Sequence, residues 1–151
     1  MERYRVTASA RIDAPADRVY ALIANYRDGH PRIVPRRYFT ALEVEEGGVG
    51  AGTGIRVQMR LLGRTRTFRA TITEPEPGRV LVESDAVSGT VTTFTVVPLE
   101  ESRQSEVTIS TELPMRGGLA GRLERFLATR MLPQVYTEEL RLLREVVEDR
   151  T

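Results

Sequence analysis

Two spacings of apolar residues alternate along the chain. Residues 4–12 set Tyr4, Val6, Ala8, Ala10 and Ile12 against Arg5, Thr7, Ser9 and Arg11. A period of two with one apolar face predicts a half-buried strand. Asp13-Ala14-Pro15-Ala16-Asp17 then opens a short helix, since proline fits the first helical turn and an aspartate suits its positive end. That helix carries Val19, Tyr20, Leu22 and Ile23 and fades near Asn25. Gly29, Pro31 and Pro35 leave residues 26–35 as a second short, broken helix or a loop. From Tyr38 the period of two returns, with strands expected over 38–46, 53–62, 64–74, 79–85, 89–98 and 106–113. Ile55, Val57, Met59 and Leu61 alternate with Arg56, Gln58 and Arg60, and Val107, Ile109, Thr111 and Leu113 with Thr108, Ser110 and Glu112. The glycine-rich turn at 47–52, Gly63 and Pro75-Glu76-Pro77-Gly78 punctuate them, and such short connections favour an antiparallel meander.

The last spacing is helical. Leu119, Leu123, Phe126, Leu127 and Met131, then Val135, Tyr136, Leu140, Leu143 and Val147, fall at steps of three and four. They predict an apolar stripe along a helix over 119–148, roughly 45 Å long at 1.5 Å per residue. Pro133 lies inside it and removes one backbone donor, so a kink is expected near Thr129–Arg130. A seven-stranded antiparallel sheet has one face to bury, and this helix has one stripe. The simplest packing curls the sheet around the helix, with the short helices closing one end. A sheet so curled leaves space, and a cavity is expected between the two.

Composition narrows the chemistry. The 151 residues suit a single domain over 1–151, and 40% hydrophobic with 28% charged residues is a folded, soluble mix. A net charge of +1 gives no overall pull towards nucleic acid. The 22 basic residues are all arginine, as a GC-rich coding bias would produce. Without cysteine there is no disulfide, thiolate site or cysteine nucleophile, and the single histidine, His30, excludes a multi-histidine metal site. No metal and no cofactor is expected. No run approaches the roughly 20 apolar residues of a membrane span, and MERYRVTASARI has no signal-peptide core, so the expected compartment is the cytoplasm.

Three passages carry a resemblance. Ile12-Asp13-Ala14-Pro15-Ala16-Asp17-Arg18-Val19-Tyr20 resembles the strand-to-helix junction of the START-related superfamily. That superfamily joins START domains, polyketide cyclases, the birch-pollen-allergen type and coenzyme Q-binding proteins. Thr71-Ile72-Thr73-Glu74-Pro75-Glu76-Pro77-Gly78-Arg79 resembles its central hairpin. Gly118-Leu119-Ala120-Gly121-Arg122-Leu123-Glu124-Arg125-Phe126 and Tyr136-Thr137-Glu138-Glu139-Leu140 resemble its gripped C-terminal helix. The likeness spans essentially the whole chain. It implies an α+β helix-grip fold, in which a curved seven-stranded antiparallel sheet surrounds the long C-terminal helix. It leaves activity open, because a cap, a turn and a core stripe are structural words.

Candidate site residues follow from chemistry and from where the resemblance puts the cavity. A histidine can act as acid or base near neutral pH, and His30 sits where the resemblance implies the rim; it is an acid–base group there, or a solvated or capping loop histidine. Tyr26, Tyr38 and Tyr136 offer a ring and a hydroxyl to a ligand, or pack the core. Met59, Met115 and Met131 suit an irregular apolar ligand, or plain core filling. Arg130 borders the helical stripe and faces either way, while alternation puts Arg60 and Glu112 on the outer face. The 47–52 turn joins two strands and lacks a phosphate loop's lysine, and no hydrolytic triad is recognisable.

Three functions fit. The first is binding or transport of a hydrophobic small molecule such as a lipid, an isoprenoid or a polyketide-like polycycle, by a monomer or homodimer. The second is an aromatic polyketide cyclase using His30 or Tyr136 to move protons. The third is a protein-binding module of the chaperone-activator or ribosome-associated type, which requires a sizeable exposed apolar patch.

Overall fold

The computed structural model describes residues 2–148. Its elements run β1 (Arg3–Ile12), α1 (Ala16–Ala24), a 3-10 turn (His30–Arg32), β2 (Phe39–Glu46), β3 (Gly54–Leu61), β4 (Arg64–Glu76), β5 (Val80–Ser84), β6 (Val91–Leu99), β7 (Gln104–Pro114) and α2 (Gly118–Glu148). The strands form one antiparallel sheet in the order β1-β7-β6-β5-β4-β3-β2. The architecture is the α+β helix-grip arrangement, a curved sheet closed by a long C-terminal helix.

Alternation explains the layers. Tyr4, Val6 and Ile12 of β1, Leu81 of β5, Phe94 and Val96 of β6, and Val107 and Ile109 of β7 are buried on the concave face. Their partners in the pattern are exposed and paired across the outer face, as in the Thr7–Ser110 and Ser9–Thr108 hydrogen bonds and the Arg5–Glu112 ion pair at 2.8 Å. Register shifts in β2 and β4 supply the local bends that let the sheet curl. Helix α1 starts at Pro15, whose carbonyl accepts from the Val19 N–H at 3.1 Å, and Asp17 lies in its first turn.

Helix α2 runs unbroken through Pro133. After Pro133 it buries Val135, Tyr136, Glu139, Leu140, Leu143 and Val147, against β1 above all. The expected continuous buried stripe fails in the first half of the helix. Leu119, Leu123 and Phe126 are exposed by 82%, 58% and 57%. Over that half the sheet stands off across a void that Leu127 and Met131 line, Leu119 and Phe126 face solvent, and Leu123 lies at the edge between the two.

Candidate functional site

That void is a cavity of about 640 Å³ between the concave sheet and α2. Phe39, Leu42, Val57, Met59, Leu61 and Phe68, from β2 to β4, make one apolar wall, with Leu127 and Met131 of α2 opposite. The end nearer α1 is polar. There Glu83, Thr92 and Thr111 lie side by side on the floor, since register puts Glu83 opposite Thr92 and Thr92 opposite Thr111. The two threonine hydroxyls share a 2.9 Å hydrogen bond, and the Tyr136 hydroxyl reaches Thr111 at 2.5 Å. One turn along α2, Glu139 projects from the same helix face and is only 4% exposed.

His30 completes this end. It is 3% exposed, stacked on Tyr26 at 4.4 Å between centroids and edge-on to Phe94 at 5.4 Å. Its Nδ1 lies 2.8 Å from the Ile23 carbonyl. A carbonyl only accepts, so Nδ1 carries a proton and Nε2 is the nitrogen that faces the carboxylates. Nε2 lies 3.7 Å from Glu83 Oε2 and 3.7 Å from Glu139 Oε1. The Tyr26 hydroxyl donates to Glu83 Oε2 at 2.5 Å, which orients that carboxylate from behind.

The loop bearing His30 is held by backbone. The Asn25 carbonyl accepts from the Gly29 and His30 N–H groups at 2.9 and 2.7 Å, and the Asn25 side chain accepts from Arg27 and Asp28. A Cβ on Gly29 would stand 2.3 Å from the Leu22 carbonyl oxygen, so only glycine fits there. The 47–52 turn braces the same loop. Gly48 O accepts from Tyr26 N at 2.8 Å, Gly50 N donates to Ala24 O at 2.9 Å, and Glu74 ties the turn to Tyr20.

Burial, and then the charge of Glu83, hold the Glu139 carboxyl well above the usual carboxylate range. Burial also raises the phenols of Tyr26, with Glu83 adding to it, and of Tyr136. Glu139 thus keeps its proton to higher pH than a surface glutamate, and the cluster offers a held proton, an imidazole nitrogen and an oriented carboxylate. Among the described residues no group of three or more His, Asp or Glu side chains has the placement of a metal site.

Of the residues singled out from sequence, His30, Met59, Met131 and Tyr136 line the cavity. The alternative of a solvated loop for His30 does not hold, because the ring is buried. Tyr26 lies behind His30 and acts through it and Glu83. Three others are off the wall. Tyr38 lies beneath the Arg37 guanidinium, Met115 accepts from Arg125 through its sulfur, and Arg130 is exposed over the Phe126 ring. Residue type and spacing alone do not single out Glu83, Thr92, Thr111 and Glu139. Signals existed for the acids: Glu83 stands two residues past Leu81 on an inward face, and Glu139 interrupts the stripe between Tyr136 and Leu140.

The family described as polyketide cyclase / dehydrase and lipid transport matches residues 3–148. No curated protein sequence matches the chain. Among solved structures, the KanY protein is 29% identical with a TM-score of 0.85, over 99% of this chain and 100% of that one. A START superfamily protein from Mycobacterium smegmatis is 14% identical, TM-score 0.72, over 95% of this chain and 97% of that one. The Zhui aromatase/cyclase from Streptomyces sp. R1128 is 16% identical, TM-score 0.68, over 96% of each. The last two likenesses concern the fold alone.

Proposed function

The chain belongs to the polyketide cyclase / dehydrase and lipid transport family, and on that premise we propose that it binds an apolar small molecule carrying one polar group. The observation behind this reading is the two-ended cavity. Its roughly 640 Å³ lies in the range of ordinary ligand pockets, and its walls pass from Phe39, Leu42, Val57 and Phe68 to the buried His30–Glu83–Glu139 cluster. Burial of ligand hydrocarbon supplies the affinity, at roughly 25 cal/mol per Å² before the costs of association. The cluster orients the ligand, because a hydroxyl or carbonyl placed there finds both a donor and acceptors. Native mass spectrometry before and after organic extraction tests this, together with melting curves against lipids, isoprenoids and aromatic polycycles. A ligand at a hundredfold its Kd adds about 2.7 kcal/mol of stability. The absence of any adduct, and of any shift across that set, would count against the reading.

The cluster also favours a second reading, an acid–base enzyme acting on a polyketide-like chain. With Nδ1 fixed as a donor to Ile23, Nε2 is the ring nitrogen turned to the cavity, and its lone pair is the base of this reading. The high-pKa Glu139 carboxyl is then the proton donor, so removal and return of a proton fall to two neighbouring groups. Turnover of a poly-β-ketone mimic separates the readings. A catalyst loses roughly 10²–10⁴-fold on His30→Ala, whereas equal rates in both proteins, or none in either, remove His30 from any mechanism.

A further inference from the structure

Helix α2 has a second apolar stripe that is left exposed to solvent. Leu119, Leu123 and Phe126 stand four and three residues apart, so they share one side of the helix, and that side faces solvent. Arg122 and Arg130 lie on the same side, the Arg130 guanidinium 5.7 Å from the Phe126 ring centroid. Across the cavity opening, Leu62 at the β3–β4 turn is 66% exposed. Leu62 and Leu123 both also border the cavity. Leu62 and Leu123 therefore rim its mouth, and Leu119 and Phe126 flank Leu123 on the same helix side.

The charge at this rim is one-sided. Residues 62–66 and 116–131 hold six arginines, Arg64, Arg66, Arg116, Arg122, Arg125 and Arg130, against the single acid Glu124, which pairs with Arg116 at 3.6 Å. Among the described residues the other five arginines have no carboxylate within 4.0 Å. Residues 132–148 reverse the balance, with two arginines and four glutamates. In a chain of net charge +1 the positive charge is thus gathered around the opening.

We propose that this rim docks on an anionic lipid bilayer and seats the cavity mouth against it. Leucine and phenylalanine on an exposed helix side, flanked by arginines, form the pattern of a helix lying in a membrane interface. The arginine stems snorkel, leaving their guanidiniums at the phosphates while Leu119, Leu123, Phe126 and Leu62 enter the acyl boundary. A protein partner with an acidic rim would also satisfy these side chains, but it would close the cavity mouth, which a bilayer keeps open to apolar cargo. Docking lets an apolar molecule pass between bilayer and cavity without crossing water. It does not depend on which molecule the cavity holds, so it fails or stands separately from the ligand reading.

The test is flotation of the whole protein with vesicles of phosphatidylcholine alone and of phosphatidylcholine mixed with phosphatidylglycerol. We expect binding to the mixed vesicles about tenfold tighter than to the neutral ones, weakening as salt rises. Leu119→Ser/Leu123→Ser/Phe126→Ser should abolish it, and Arg122→Glu/Arg130→Glu should weaken it at least about tenfold. Both variants should keep the wild-type melting temperature, because every altered side chain is exposed. Flotation that both variants retain overturns the proposal. Flotation with neither vesicle also overturns it, and leaves an acidic protein as the occupant of the rim.

Discussion

From Gly118 to Met131, α2 buries Gly121 alone; from Leu132 to Glu148 it buries Leu132, Val135, Tyr136, Glu139, Leu140, Leu143 and Val147. One helix, with one period of apolar residues, therefore does two jobs on either side of Pro133. The later half is an anchor, pressed against β1 and the 3-10 turn. The earlier half is a cover: one side roofs the cavity with Leu127 and Met131, and the other shows Leu119, Leu123 and Phe126 to solvent. The difference teaches that helical spacing reports where apolar side chains line up. Whether a partner packs beneath them is decided by how closely the sheet approaches.

The largest effect should come from truncating matched leucines in the two halves. Leu143→Ala removes a side chain that is 1% exposed in the anchor and should cost about 2–5 kcal/mol, read as a lower denaturant midpoint. Leu123→Ala, in the cover, should stay within about 0.5 kcal/mol of wild type. Equal losses would mean that the first half is as much a part of the core as the second.

The next effect tests how the anchor tolerates a carboxyl within its apolar face. Burial and the nearby Glu83 charge raise the Glu139 pKa, so the folded chain holds that proton more tightly than the unfolded one. The stabilisation is complete below the unfolded value, about 4.3, and is lost as pH climbs through the raised folded value. Glu139→Gln has no proton to lose there. It should be more stable than wild type at about pH 8, by about 1–3 kcal/mol, with the gap closing towards about pH 4. His30, Glu83, Tyr26 and Tyr136 face this position and are unchanged in the comparison. A gap that is flat with pH would mean that the Glu139 carboxyl titrates alike in the folded and unfolded chain.

The same contrast explains what was legible in the sequence. Strands and helices were, because alternation and the three-and-four step are local; the strand reading at 106–113 became Gln104–Pro114, and 119–148 became Gly118–Glu148. The cavity cluster was only half legible. Each acid sits at an inward position of its own element, yet their meeting depends on the β5–β6–β7 register and on a loop, residues 25–30, that has no period. His30 drew notice by its chemistry, while Glu83 and Glu139 passed as ordinary charges among 21 acidic residues. Spacing alone predicts burial for the exposed stripe of α2, because nothing local distinguishes a covered side from an open one.

Gly121 gives the smallest and sharpest test, since it is the one residue of the cover that is buried. Elsewhere in a helix, glycine to alanine gains about 1 kcal/mol from propensity alone. At Gly121 an added Cβ would lie 2.1 Å from the Arg116 carbonyl oxygen, so residues 115–118 must move to admit it. The glycine lets the chain entering α2 fold back across the helix and fixes where the cover sits over the mouth. Gly121→Ala should therefore forfeit the expected gain, leaving stability level or down by about 1 kcal/mol. Amide exchange should quicken over 114–124 and stay unchanged over 140–147, because the anchor does not depend on that close approach. If the alanine variant instead gained the full increment with exchange unaltered, the entry to α2 would be loose already. Cover and anchor would then differ in exposure but not in how tightly the chain holds them.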